Sequence, residues 1–224
     1  MRLDDVLRRA GAPAALLFDL DNTLYDREET FRAFLRELAR ETLPESERDA
    51  AVAACCDADA GGYGSKIGLL RRLGDFHPAW RAREASSEAY YDALIERTRL
   101  SGETQAVLAA VEERGLPYGI VTNGTQRQWE KIDALALRRR VACAIVSGDF
   151  GRDKPDPAIF RAAADALSLP PERILFIGDH PIADMRGARD AGMRTLWIRR
   201  GKPWPSTAGP PPDASVDRLA DLLE

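Results

Sequence analysis

The 224-residue chain reads as an α/β protein: a doubly wound parallel sheet with an all-helical segment inserted after the first strand. Three observations predict this. Short apolar runs end abruptly in polar residues, helical patterns alternate with those runs over residues 101–200, and residues 27–99 carry helical patterns alone. A chain of this length sustains one substantial hydrophobic core, or one core with a smaller appended domain.

The first run, Ala14 to Phe18, ends in Asp19. Tyr118 to Val121 runs into Thr122-Asn123-Gly124, and Ile174 to Ile177 into Gly178-Asp179. Val141 to Val146 and Thr195 to Ile198 complete five expected strands. Continuous rather than alternating apolarity marks strands covered on both faces of a parallel sheet.

Between the strands, Glu103 to Arg114 lines up Val107, Leu108 and Val111, and Gln126 to Leu137 lines up Trp129, Ile132 and Leu135. Pro157 to Leu167 opens with proline at the first helical position and carries Ile159, Phe160, Ala163 and Leu167. Ile182 to Ala191 stops at Gly192. Pro203 to Pro212 reads as a loop, and Val216, Leu219 and Leu222-Leu223 as a short closing helix. Alternation of this kind is the mark of a doubly wound domain.

No run between Arg27 and Arg99 suits a strand. Phe31, Phe34, Leu35 and Leu38 follow helical spacing, and Ile67, Leu70 and Leu73 resume it after Gly61-Gly62-Tyr63-Gly64. Pro78 to Arg97 reads as a further helix. An insertion of about seventy residues far exceeds an ordinary connection. Its place directly after the first strand makes it a candidate cap over whatever that strand carries. The expected division is 1–26 with 100–224 as the α/β core and 27–99 as the helical cap.

Composition excludes several classes. Hydrophobic residues make up 45% and charged residues 30%, and the net charge is −4. That balance carries no electrostatic footprint for a nucleic-acid polymer or an anionic membrane. Of 32 basic residues only four are lysines, Lys66, Lys131, Lys154 and Lys202, so each surviving ammonium marks a more specific need. Three cysteines, Cys55, Cys56 and Cys143, give neither a disulfide framework nor zinc-ligand spacing. The N-terminal apolar stretch is too short for a signal peptide or a membrane span. A cytoplasmic protein, monomeric or homodimeric, is expected.

In an open α/β sheet, ligands bind beyond the carboxyl ends of the strands. Those ends would gather Asp19 and Asp21, Thr122 with the amides that follow it, and Asp179 with Asp184. Carboxylates so crowded cannot all stay ionised without a cation. An oxygen-only donor set suits Mg²⁺, which keeps room for waters and a phosphate oxygen. Beside a metal-held phosphate, a carboxylate can act as nucleophile and split one difficult hydrolysis into two easier steps. Donors and cations must surround the transferring phosphoryl group. The Thr122 hydroxyl, the Asn123 and Gly124 amides and the Lys154 ammonium are the candidates.

These residues resemble a known set. Asp19-Leu20-Asp21-Asn22-Thr23, Thr122-Asn123-Gly124, Lys154-Pro155, and Gly178-Asp179 with Asp184 follow the four ordered motifs of the haloacid dehalogenase-like hydrolase superfamily. The branch resembled is the one with a helical cap after the first motif and a Rossmann-like core. The segment Gly178 to Met193 is especially similar, and the likeness spans nearly the whole chain.

The resemblance implies that Asp19 is the nucleophile and that Asp21 protonates the leaving group and then activates water. It further implies that Asp19, a backbone carbonyl near Asp21, Asp179 and Asp184 hold Mg²⁺. The expected activity is hydrolysis of small phosphate monoesters such as nucleotide, sugar or flavin phosphates, through an aspartyl-phosphate. A phosphomutase of the same fold, or a regulator that binds a phosphorylated ligand without catalysis, are the alternatives. A haloalkanoate dehalogenase needs no acid two residues after its nucleophile, and Asp21 argues against it.

Other prominent residues read as structural. His180 beside Asp179, His77, Trp80, Trp129 and Trp197 belong to caps or cores on this reading. Tyr25, Tyr63 and Lys66 are the candidates near or within the insertion for substrate contact.

Overall fold

In the computed structural model, residues 2–76 and 87–224 are described. In chain order the elements begin with α1 (Leu3–Arg9), β1 (Ala15–Phe18), α2 (Arg27–Thr42), α3 (Glu45–Asp59), α4 (Lys66–Phe76) and α5 (Ser87–Ile95). They continue with α6 (Gly102–Glu113), β2 (Tyr118–Thr122), α7 (Arg127–Ala134), β3 (Cys143–Val146), α8 (Ser147–Phe150) and α9 (Pro157–Ala166). The chain ends with β4 (Ile174–Gly178), a π-helical turn (Pro181–Arg186), α10 (Gly187–Asp190), β5 (Arg194–Ile198) and β6 (Ala214–Val216).

The six strands form one parallel sheet in the order β3-β2-β1-β4-β5-β6. The chain winds outward from β1 to one edge, then returns to lay β4 on the other side. β1 therefore sits at the topological switch point, and a crevice opens at its carboxyl end. Phe18 is in register with Ile120 on one side and Ile177 on the other, so Asp19 follows directly at that end.

Both faces of the sheet are covered, which is why the central strands β1, β2 and β4 are almost wholly apolar. Leu16, Phe18, Ile120, Leu175, Ile177 and Leu196 point to one face, against Val6 of α1 and Val107, Leu108 and Val111 of α6. Leu17, Val121, Phe176 and Trp197 point to the other, against Ile159, Phe160 and Met185. Each fully buried side chain of this size contributes about 1.5–3 kcal/mol. Caps fix where the helices start: Ser101 Oγ accepts from Thr104 N at 3.0 Å, and Asp156 accepts from Ala158 N at 2.9 Å ahead of Pro157.

The chain divides into two compact units, Met1–Tyr25 with Arg99–Glu224, and Asp26–Thr98. The described residues of the second unit are mainly helical, with their own core of Phe31, Leu35, Leu38, Cys55, Leu69, Leu73, Tyr90 and Leu94. At its centre Asp59 accepts two bonds from Arg27, at 2.6 and 2.8 Å, with Lys66 Nζ 3.4 Å away. Burial alone would raise the Asp59 pKa, but the Arg27 guanidinium and the Lys66 ammonium together outweigh it and hold the carboxyl below its ordinary range. No helix among the described residues is long and apolar enough to cross a membrane.

Three expectations need correction. Val216 lies in a sixth strand, not in the closing helix; only Leu219–Leu223 is helical, as a 3₁₀ turn. The Ala214–Val216 run is too short to signal a strand by itself and is recruited by pairing with β5. The helix expected at Ile182–Ala191 opens as a π turn at Pro181, because Met185 N bonds to His180 O, five residues back, at 3.2 Å. Ile67 is 73% exposed, although Leu70 and Leu73 beside it are buried. His77, Trp80 and the first half of the helix expected at Pro78–Arg97 lie outside the described residues.

Candidate active site

The carboxyl ends of β1, β2 and β4 bring together the residues that the motifs single out. Asp19 continues β1, with its N–H bonded to Ile177 O at 2.9 Å. Asp179 follows β4, where Trp197 Nε1 donates to its backbone carbonyl at 2.8 Å. Asp184 projects from the π turn and accepts from His180 N at 2.9 Å. One carboxylate oxygen from each of Asp19, Asp179 and Asp184 lies within 4.8 Å of the others. Gly178 makes this closeness feasible, since a Cβ there would come within 2.6 Å of Asp184 Cγ.

Lys154 stands in the middle of this acidic group. It is 4% exposed, and its Nζ donates to Asp19 Oδ1 at 2.7 Å, Asp184 Oδ1 at 2.7 Å and Val121 O at 2.9 Å. Burial disfavours its charge, but Asp184 and Asp19 outweigh burial and drive its pKa upward. One ammonium does not neutralise three carboxylates. Burial, reinforced by neighbouring Asp184 and Asp21, raises the Asp19 carboxyl to about 7 despite Lys154. Burial, with Asp19 and Asp184, raises Asp179 to about 8.

This is a site short of positive charge, with hard oxygen donors converging on one point. Those properties fit Mg²⁺, and Asp19, Asp179 and Asp184 are the residues that would hold it. The Asp21 carboxylate is not among them. It is held apart from the cluster by Lys131 Nζ, at 2.8 and 2.7 Å, and by Gln128 Nε2 at 3.0 Å.

Around the β2 end, Thr122 is 1% exposed and its Oγ1 accepts from Gln128 Nε2 at 2.7 Å. Asn123 clasps the Lys154 backbone: its Oδ1 accepts from Lys154 N at 2.7 Å and its Nδ2 donates to Lys154 O at 3.0 Å. The Asn123 side chain thus fixes the loop that delivers Lys154. Gly124 N donates to Ser147 Oγ at 3.0 Å, so this amide has a partner within the protein.

Several residues around the site were not singled out by motif. Gln128 and Ser147 carried no signal, and Lys131 carried only its rarity. His180 has a structural duty: its Nδ1 accepts from Ile182 N and Ala183 N at 3.1 and 3.0 Å and caps the π turn. Burial lowers its pKa, consistent with an imidazole used as acceptor. Tyr25 is buried with Lys131 Nζ 5.7 Å from its ring centroid, Tyr63 is 65% exposed, and Lys66 stands 5.0 Å from the Tyr90 ring centroid beside Asp59.

A parallel α/β sheet with a lysine-bridged acidic centre at its switch point defines an α/β enzyme that works with carboxylates. The chain belongs to the haloacid dehalogenase-like hydrolases, whose family model matches residues 13–192. It is 32% identical over 223 residues to the glyceraldehyde 3-phosphate phosphatase of Methanopyrus kandleri, covering 94% of this chain and 95% of that one. It is 40% identical over 148 residues to the phosphoserine phosphatase of Thermus thermophilus, covering 64% of this chain and 56% of that protein. Among solved structures, the magnesium-bound HAD-hydrolase YfnB of Bacillus subtilis matches with a TM-score of 0.68 at 21% identity, over 94% of this chain and 96% of that one. A 2-haloacid dehalogenase of Pseudomonas syringae matches with a TM-score of 0.58 at 26% identity, over 93% and 95%. Phosphatases and dehalogenases share this fold, so the choice between them rests on the site and on the sequence relatives.

Proposed function

We propose that the chain is a magnesium-dependent phosphatase of small phosphate monoesters, working through a phosphoryl group carried transiently on Asp19. The observation that carries this reading is the paired arrangement of carboxylates. Asp19 lies in the acidic centre beside Lys154, while Asp21, two residues on, is kept out of that centre by Lys131 and Gln128. A dehalogenase has no use for the second carboxylate; a phosphatase needs it twice.

Asp19 attacks phosphorus as a carboxylate, and the bond from phosphorus to the leaving oxygen breaks while Asp21, entering the step as the carboxylic acid, gives that oxygen its proton and is left as the carboxylate. Asp21 then takes a proton from water as the water oxygen bonds to phosphorus, and the phosphorus–Asp19 bond breaks to release inorganic phosphate. Lys154 holds the Asp19 carboxylate in line and offers positive charge to the phosphoryl oxygens. The Thr122 hydroxyl and the Asn123 backbone N–H are the neutral donors to the same group. When bound, Mg²⁺ would neutralise phosphate and carboxylate charge and so favour attack of one anion on another.

The substrate class proposed is a small phosphorylated sugar or amino acid. Support comes from relatives named for glyceraldehyde 3-phosphate, phosphoserine and N-acetylmuramic acid 6-phosphate. Three free cysteines fit a reducing compartment such as the cytoplasm. The test is hydrolysis of 4-nitrophenyl phosphate with and without Mg²⁺, wild type against Asp19→Asn. Loss of activity in the variant and without metal is expected; equal rates for the two proteins would refute the reading.

A further inference from the structure

Two polar residues on α7 are buried where apolar ones would be expected. Gln128 is 3% exposed and Lys131 5%, and three positions apart they share one face of the helix. Burying an ammonium is costly unless it is paired. Lys131 Nζ meets this cost with both oxygens of Asp21, at 2.8 and 2.7 Å. Gln128 Nε2 lies within 3.0 Å of three acceptors: Asp21 Oδ2, Thr122 Oγ1 at 2.7 Å and Asn123 O. A carboxylate and a carbonyl can only accept, so the Gln128 nitrogen must face them. Because Thr122 Oγ1 accepts from Gln128, its own proton is directed elsewhere.

We propose that Lys131 and Gln128 are positioning residues: Lys131 fixes the Asp21 carboxylate, and Gln128 ties Asp21 to Thr122 and aims the Thr122 proton at the incoming phosphate. This rests on Asp21 acting as the acid and base. One helix face then sets two catalytic functions at once, which explains why the buried side of α7 is polar at these two positions. Neither residue touches the phosphoryl group. Their effect passes through Asp21 and Thr122.

The experiment measures kcat/KM of the full chain with Mg²⁺ on ethyl phosphate, whose alkoxide must be protonated to leave, and on 4-nitrophenyl phosphate, whose phenolate leaves unaided. Lys131→Met is expected to lower the ethyl phosphate value about 100-fold, the low end of a general-acid contribution, and the aryl value less than about 5-fold. Lys131→Arg, which keeps the charge, should restore most of the ethyl phosphate value. Asp21→Asn should show the same selectivity, and adding Lys131→Met to it should cost nothing further. Gln128→Met should raise KM for both substrates about 10-fold, the worth of one good hydrogen bond.

An equal loss on both substrates in Lys131→Met, with Asp21→Asn still selective, would overturn the proposal and leave Lys131 a purely structural residue. Unchanged KM in Gln128→Met would overturn the assignment of Gln128. Absence of selectivity in Asp21→Asn would instead sink the reading of Asp21, and this proposal with it. Should Lys131→Met fail to fold, Lys131→Gln is judged by the same ratio.

Discussion

Lys154→Met removes the cation that bridges Asp19 and Asp184 in the acidic centre. Asp19 and Asp184 each lose a partner at 2.7 Å, and Val121 O loses one at 2.9 Å. Taking one partner from a buried ion pair costs about 3–5 kcal/mol, against a total stability of about 5–15 kcal/mol. At about 2–4 °C per kcal/mol for a chain of this size, Tm should fall by roughly 10 °C in metal-free protein at about pH 8.5. Near pH 5.5 the deficit should shrink, because Asp19 already sits at about 7 with Lys154 present and takes up a proton readily without it. Thermal unfolding followed by circular dichroism, in the presence of a chelator and at both pH values, measures this directly. A drop of less than about 2 °C at the higher pH, or equal drops at both, would refute the reasoning.

Metal-free wild type should itself respond to pH. The Asp19 and Asp179 carboxyls are raised, to about 7 and about 8, so their contribution to stability is complete below the ordinary carboxylate range and is lost as pH climbs through those values. Tm without metal should therefore decline between about pH 5 and pH 9, and the gain from added Mg²⁺ should grow over the same window, since binding requires ionised carboxylates; a metal effect independent of pH would contradict this. Gly178→Ala places a methyl group within 2.6 Å of Asp184 Cγ and must shift that carboxylate off Lys154 and His180 N. Phosphatase activity should drop at least about 100-fold while stability drops by about 1–3 kcal/mol, as read from kinetics and denaturant unfolding. Asp59→Ala strands the buried Arg27 guanidinium and should cost about 3–5 kcal/mol, visible as faster hydrogen exchange across α2–α5 with the β1–β5 sheet unaffected.

The parallel sheet was legible because strands covered on both faces are mostly apolar, and β1, β2 and β4 run into Asp19, Thr122 and Asp179 at their carboxyl ends. The sixth strand was not, because three residues ending in Val216 acquire their conformation only by pairing with β5. The π turn was equally hidden: Pro181 and Gly192 mark where helical backbone starts and stops, but not its pitch. At the site, the gathering of Asp19, Thr122, Asp179 and Asp184 could be expected because strand ends converge in a doubly wound sheet, whereas Lys154, in a loop, was pointed to by the scarcity of lysine and by its place in the motif order. Gln128 and Lys131 could not be read this way. They act from a helix face, where a polar residue looks like ordinary solvated surface until its burial is known, and the scarcity of lysine was the single hint. Asn123 illustrates the opposite limit. Its position in the motif suggested a backbone amide donor to phosphate and said nothing of its side chain, which clasps the Lys154 backbone, a pairing across 31 residues that no local pattern reveals.

The most direct test of the account is to acid-quench the enzyme during turnover of 4-nitrophenyl phosphate with Mg²⁺ and map the protein by mass spectrometry. The account predicts the mass of one phosphoryl group on the peptide carrying Asp19 and none in Asp19→Asn, which should also be inactive. A phosphoryl group on another residue, or continued turnover by Asp19→Asn, would contradict it.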